Sequence, residues 1–404
     1  MKKERNIYLF TNSFPYGKGE SFLANELKNL VDEFQRVIII PLQSDKGIRE
    51  IPKNIEVLKP LYSFDTKKCR LRFIYTGIFN FSPFSFALKE LRMNKPYTNY
   101  LKFWEFMTFL LRFRSALHHL HISPGSQDVL YFYWGNTSVI LAPILKSKFH
   151  CSIAVRFHGS DLYEEAKVGY IPFRQYVFPA IDQFITVSEF GRRYLLSRYP
   201  EWLNEKKVVV SRLGVFDRGI NNKQSDGLGI FHLVSCSNLI ELKRIDLIIK
   251  ALQLIDFKIK WTHFGDGPLK TILENQSNVL RPNVEVNWKG HRSNEELIRF
   301  YQVTHVDLFL NVSASEGIPV SIMEAMSFGI PAMATNVGGV SELVDEFNGV
   351  LLPADLDEKM LANAIISFAV SNCNKKRESA REFWNQHFNA DTNYKRLVQI
   401  IKEL

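Results

Sequence analysis

Short runs rich in Val, Ile and Phe, each followed by a stretch with helical spacing, recur along the whole chain. This alternation restricts the available folds more than any other feature. NIYLFT (6–11), RVIIIPL (36–42), DVLYFYW (128–134), IAVRFHG (153–159) and QFITVS (183–188) occupy the first half. GIFHLVSCS (229–237), IKWTHFG (259–265), VEVNWKG (284–290), VDLFLNV (306–312) and IPAMAT (330–335) occupy the second, interleaved with segments such as RIDLIIKALQLI and NEELIRFYQV. Runs apolar on both faces predict strands covered by helices on both sides, as in parallel α/β sheets. A chain of 404 residues exceeds what one core usually serves. Between the two series, FDRGINNKQSDGLG (216–229) has almost nothing to bury and reads as a linker. The expectation is α/β: two Rossmann-like, doubly wound parallel-sheet domains, over 1–215 and 216–385. No short repeat period is present, which argues against a solenoid.

Composition narrows the class further. At 46% apolar and 23% charged residues the chain is an ordinary globular one, so bulk disorder is excluded. Its four cysteines, Cys69, Cys151, Cys236 and Cys373, form no C-x-x-C pair, so neither a zinc site nor a disulfide framework is expected. The N-terminal segment lacks the apolar core and cleavage site of a signal peptide, and no run of 18 apolar residues offers a membrane span. A cytoplasmic protein is expected. The formal charge of +9 suggests an anionic partner, whether nucleic acid, lipid or a phosphorylated substrate. Between residues 65 and 121 ten Lys/Arg face three Asp/Glu among many aromatics. That stretch reads either as a surface for an anionic membrane at the inner face or as core helices with a solvated basic side. No recognised motif supports nucleic-acid binding.

The chemistry concentrates in SEGIPVSIMEAMSFGIP (315–331), directly after the apolar run VDLFLNV. Pro319 at the start, Gly329 past the end and Pro331 beyond predict strand, tight loop, helix. Gly317 lets the backbone approach a ligand, and the amides of Ile318, Val320 and Ser321 would point from the helix N-terminus toward an anion such as phosphate. Glu316 before the helix and Glu324 inside it would repel a diphosphate, so they are expected to accept hydrogen bonds from neutral hydroxyls on either side of it. A ribose and a hexose carry such hydroxyls. The ligand implied is a nucleotide diphosphate sugar; a cap acid and a surface glutamate are the structural alternative.

The pattern E-G-x-P-V-S-x-x-E-A-M-x-x-G-x-P-x-x-A-T, followed by VGGVSELV (337–344) and NGVLLP (348–353), resembles the retaining glycosyltransferases of family 4, which have the GT-B fold. The resemblance implies that Glu316 contacts the transferred sugar, that Glu324 contacts the ribose, and that the amides from Gly317 to Ser321, across Pro319, serve sugar and phosphate oxygens. Where the family carries an Arg and a Lys for the diphosphate, this chain has SNLIELKR (237–244): Lys243 matches, Asn238 stands at the Arg position, and Arg244 is expected to share the charge. RFHGSDLY (156–163) resembles the family's His-Gly-x-Asp site, which implies a role for His158 at the reaction centre and for Asp161 in substrate binding. FPYGKGE (14–20) resembles the glycine-containing loop after the first strand, with Gly17 and Gly19 bringing amides toward the diphosphate; a surface turn explains it nearly as well. GDGP (265–268) resembles another family turn, expected near the base. The final segment, 386–404, is expected to cross back to the first domain, as in the family.

The reaction implied is transfer of a hexose-type sugar from a UDP- or GDP-sugar to a glycan or lipid-linked oligosaccharide hydroxyl, with retention and without cofactor or metal. His158, Glu316 and Lys243 are the expected catalytic residues. A nucleotide-sugar epimerase on the same scaffold and a non-catalytic partner subunit are the alternatives. The missing G-x-G-x-x-G argues against a nicotinamide cofactor.

Overall fold

The computed structural model describes residues 5–17, 19, 20, 23–62, 84–166, 169–220, 229–371 and 374–404. Cys69, Cys373, the 65–83 part of the basic aromatic stretch and most of the expected linker lie outside the described residues. The chain divides into two compact units, Met1–Ser211 with Tyr394–Leu404, and Arg212–Asn393.

Among the described residues the first unit holds seven strands: β1 (Asn6–Thr11), β2 (Arg36–Pro41), β3 (Ile55–Val57), β4 (Val129–Phe132), β5 (Ser152–Phe157), β6 (Gln183–Thr186) and β7 (Val208–Val210). They pair in parallel in the order β3-β2-β1-β4-β5-β6-β7. The second unit holds β8 (Phe231–Cys236), β9 (Ile259–Phe264), β10 (Val284–Gly290), β11 (Leu308–Asn311), β12 (Ala332–Thr335) and β13 (Gly349–Leu352), all parallel, in the order β10-β9-β8-β11-β12-β13. In both sheets the winding direction reverses beside the first strand, at β1/β4 and at β8/β11. Loops leaving the carboxyl ends of strands at such a reversal diverge and leave a crevice.

The central strands are buried on both faces, which is why the apolar runs are continuous instead of alternating. Val129, Leu130, Tyr131 and Phe132 of β4 and Leu308, Phe309 and Leu310 of β11 are all at most 1% exposed. In the second unit the helix Ile245–Leu252 turns Ile245, Ile248, Ile249 and Leu252 into the sheet, and Leu361, Ile365 and Phe368 of the helix Glu358–Ala369 join the same core. Burial of each such side chain contributes about 1.5–3 kcal/mol. The last helix, Ala390–Lys402, buries Tyr394, Leu397, Val398 and Ile401. Within the first unit its end is held by Arg5 donating to the Lys402 carbonyl (2.9 Å), Ser152 Oγ donating to the Leu404 carbonyl (2.8 Å) and a Lys402–Glu33 ion pair (2.6 Å).

Candidate functional site

In the second unit, the loops following β8 and β11 meet because their strands are neighbours in the sheet. The Ala314 amide donates to the Leu242 carbonyl (2.8 Å) and ties one loop to the other. Across this contact Lys243 Nζ lies 2.6 Å from Glu316 Oε1, and Asn311 Nδ2 donates to the same oxygen at 3.3 Å. Both charged side chains are less than one-fifth exposed, so their attraction is screened less than that of a surface salt bridge, and removing either partner leaves a largely buried charge. Lys243 and Glu316 are thus brought together, and Asn311, the last residue of β11, is a site member that sequence reasoning misses.

The helix Val320–Ser327 starts beside this pair. Pro319 occupies its N-cap in an extended conformation and no side chain caps it, which leaves the helix-end amides oriented for an anion. Ile318 and Pro319 are buried and secure the loop; Gly317, Val320 and Ser321 are partly open. The loop shape is enforced from behind by Gly338, whose φ is +56° and whose Cβ, were there one, would meet the Glu316 carbonyl at 1.9 Å. Next to it the Gly339 amide donates to the Gly317 carbonyl (2.8 Å). The VGGV segment is therefore the mould of the Glu316–Gly317 turn.

Glu324 is 6% exposed, and its carboxylate accepts from Asn294 Nδ2. Burial pushes its pKa up to about 7, with the Asn294 hydrogen bond pulling the other way. It is not a surface glutamate. Asn294 opens the helix Asn294–Val303, whose capping box formed by Ser293 and Glu296 fixes it there.

Arg244, expected to share a diphosphate, has a different place. It adopts a left-handed conformation (φ 48°) between the 3₁₀ turn Glu241–Lys243 and the helix Ile245–Leu252. Its guanidinium donates to the Val312 carbonyl (2.6 Å) and the Thr335 hydroxyl (3.2 Å), with longer bonds to the Ser313 and Ala354 carbonyls. It braces the ends of β11 and β12. Asn238 is exposed, and its carbonyl accepts from the Ile240 amide. Below it runs a buried polar chain that the sequence did not reveal: Trp261 Nε1 donates to Ser235 Oγ (2.9 Å), which bonds His263 Nδ1 (2.8 Å), whose Nε2 faces the Ser237 carbonyl (3.2 Å). Burial holds the His263 pKa down to about 4. The GDGP turn packs on this loop: a Cβ on Gly265 would meet the Ser237 carbonyl at 1.8 Å and one on Gly267 the Leu239 carbonyl at 2.5 Å.

In the first unit, the residues singled out by sequence gather at the ends of β1, β4 and β5. His158 lies against the rings of Trp134 (4.4 Å) and Tyr133 (4.9 Å); its Nδ1 is 3.9 Å from Asp161 Oδ2, and among the described residues neither ring nitrogen has a partner at hydrogen-bond distance. Burial lowers its pKa, so the imidazole is neutral near pH 7. Asp161 is fully buried, and its two oxygens accept the amides of His158 (2.8 Å) and Gly135 (2.7 Å). It shapes the loop under His158 and presents no oxygen to a ligand. The Gly17 amide, expected to approach a diphosphate, is committed to the Gly47 carbonyl (3.0 Å), and Arg49 holds the carbonyls of Gly17 and Gly19. The anion that occupies this loop is internal: Glu20 accepts the amides of Asn12, Ser13 and Phe14 and the indole N–H of Trp134, all within 2.9 Å. A carboxylate saturated by three amides after the first strand had no signature in the sequence beyond the glycines before it.

Residues 223–385 match the family model for glycosyl transferases group 1. Over that segment the chain is similar to the group 1 glycosyltransferases. It is 30% identical over 244 residues to an uncharacterized glycosyltransferase of Methanocaldococcus jannaschii, a match spanning 58% of this chain and 64% of that one, just under two thirds of the relative's length. It is 24% identical to the amylovoran biosynthesis glycosyltransferase AmsK of Erwinia amylovora, over 70% of this chain and 71% of the relative. Among solved structures, HepE of Anabaena in complex with UDP superposes with a TM-score of 0.65 at 17% identity, covering 99% of this chain and all of the other. The fold is GT-B. The motif stretch with Lys243, Glu316 and Glu324 falls within the segment matched by the family model, whereas His158 and Glu20 lie outside it.

Proposed function

We propose that this protein transfers a hexose-type sugar from a UDP- or GDP-sugar to a hydroxyl of a glycan or lipid-linked acceptor in surface polysaccharide biosynthesis, with retention at the anomeric carbon. The observation that carries the reading is the Lys243–Glu316–Asn311 cluster at the β8/β11 reversal, beside an uncapped helix N-terminus. A cation, a hydroxyl-accepting carboxylate and oriented amides are what a diphosphate joined to a sugar requires. The amylovoran function in the name of AmsK and the UDP bound by HepE agree with it.

In this reading Lys243 and the amides of Gly317, Ile318, Val320 and Ser321 hold the diphosphate, with Asn238 at its edge. Glu316 accepts hydroxyls of the transferred sugar and Glu324 those of the ribose. His158, whose ring nitrogens are at hydrogen-bond distance from no described protein atom, is a group of the first unit able to donate to or accept from a substrate hydroxyl. The bond between the anomeric carbon and the diphosphate oxygen breaks, and the acceptor oxygen bonds to the same face. The acceptor proton passes to the departing phosphate oxygen. Lys243 and the helix dipole carry the developing charge, so the step needs no metal.

A panel of UDP- and GDP-sugars, read first by thermal shift and then by product formation with lipid-linked and glycan acceptors, tests the proposal. It requires at least one donor to raise the melting temperature and to give glycosylated acceptor. A new sugar nucleotide formed from donor alone would show an epimerase instead, and absence of any nucleotide binding would show a non-catalytic subunit.

A further inference from the structure

We propose that the corner joining the helices Phe84–Asn94 and Tyr100–His119 docks the first unit on an anionic phospholipid surface. The long helix divides its aromatic residues by position. Phe106, Phe109 and Phe113 face the core, whereas its first turn and the approach to it leave Met93, Tyr97, Tyr100, Leu101 and Trp104 exposed, Tyr100 by 76% and Tyr97 by 59%. The corner is built to hold this shape: Pro96 is buried, and Asn99 caps the long helix by accepting the amides of Leu101 (2.9 Å) and Lys102 (3.2 Å). Tyr100 and Trp104, one turn apart, stack with centroids 6.5 Å apart.

Charge decides what covers such a face. Between residues 88 and 104 the bases are Lys89, Arg92, Lys95 and Lys102, and the only acid is Glu90. Glu90 is turned inward: it is 4% exposed and accepts from Tyr170 Oη (2.5 Å) and Asn94 Nδ2 (2.9 Å). What the corner shows to solvent is therefore large apolar and aromatic groups among four cations, with the partly exposed Glu105 beside Trp104 as the acid at its edge. Tyr and Trp rings settle at the boundary between headgroups and acyl chains, and Lys and Arg stems lie along apolar surface while their charges reach phosphates. A second copy of the same face would set these cations against their own kind, which costs energy. Among the described residues no helix is long and apolar enough to cross a membrane, so the contact is with the surface.

This face belongs to the first unit, and its docking stands whether or not the donor assignment holds. Cosedimentation of the full chain with vesicles of phosphatidylcholine alone, and of phosphatidylcholine mixed with phosphatidylglycerol, tests it. The expected result is partition to the anionic vesicles only, reversed by high salt, with a blue shift in fluorescence that Trp104→Phe removes. Each basic residue near an anionic surface contributes about a fivefold change in partition, so the triple variant Lys89→Glu, Arg92→Glu, Lys95→Glu, which reverses three charges, should lower binding at least about 100-fold. Tyr100→Ser with Leu101→Ser, which leaves charge untouched, should also lower binding. These positions are exposed, so an unchanged circular dichroism spectrum and melting temperature are expected for both variants. No binding to anionic vesicles, equal binding by the charge-reversed variant, or a dimer in solution that Tyr100→Ser with Leu101→Ser dissolves would overturn the proposal.

Discussion

At the scale of single residues, two carboxylates eight positions apart have opposite environments. Glu316 has a cation 2.6 Å away, whereas buried Glu324 has the amide of Asn294 as its side-chain partner among the described residues. Lys243→Met removes the counter-charge of Glu316 and, on the proposed reading, a phosphate partner; nucleotide-sugar affinity should fall roughly 10- to 100-fold by calorimetry. Leaving one charge of a largely buried pair alone also lowers the melting temperature. Adding Glu316→Gln should restore the melting temperature but not the affinity, a combination that a merely structural ion pair would not give. Glu324 supplies a pH test. Its folded pKa of about 7 lies above the ordinary 4.5, so the folded state holds an extra proton between these values. Its contribution to stability therefore falls as pH rises from 4.5 to 7 and is flat above. Glu324→Gln should gain on the parent protein between pH 5 and pH 8, by about 3 kcal/mol at most in urea titrations. Since the ionised carboxylate is the stronger acceptor for a ribose hydroxyl, UDP affinity should rise by up to about tenfold from pH 6 to pH 8 and lose that dependence in Glu324→Gln.

At the scale of elements, the strands legible in the sequence are those whose burial on both faces makes the apolar run long. β3, β7 and β13 are three or four residues each and lie at sheet edges. IEV and VVV are too short to separate from loop by pattern, and β13 was visible only inside the NGVLLP motif. In the same way, the motif loop over 315–331 was readable because Gly, Pro and Glu each mark a backbone requirement. The support it receives was not: Asn311 and Asn294 act through space, and Gly338, although inside VGGVSELV, meets the Glu316 carbonyl only in the fold. Arg244 shows the limit most clearly, since a base beside Lys243 suggests phosphate, yet its guanidinium fits the carbonyl ends of β11 and β12. Arg244→Lys, which cannot span those acceptors, should lower stability by about 2 kcal/mol. Gly338→Ala should distort the Glu316–Gly317 turn and weaken nucleotide-sugar binding, while Gly125→Ala, whose nearest neighbour would be an Asp128 oxygen at 3.7 Å, should bind as the parent does.

At the scale of the whole molecule, the last residues of the chain belong to the same compact unit as the first. Tyr394, Leu397, Val398 and Ile401 are at most 2% exposed, and together bury enough apolar surface that removing residues 391–404 should lower the melting temperature of the protein by well over about 5 °C and raise dye binding to exposed apolar surface. Fold class was legible at this scale because alternation of strands and helices is a property of the entire sequence. Which nucleotide and acceptor are used was not, because those depend on a few side chains whose neighbours come from distant positions. The claim on which the functional account rests is spatial: a nucleotide sugar sits on the loops after β8 and β11. Hydrogen–deuterium exchange of the full chain, with and without saturating donor, measures this directly. The account predicts protection concentrated in peptides covering 238–244 and 316–324; binding that protects neither segment would contradict it.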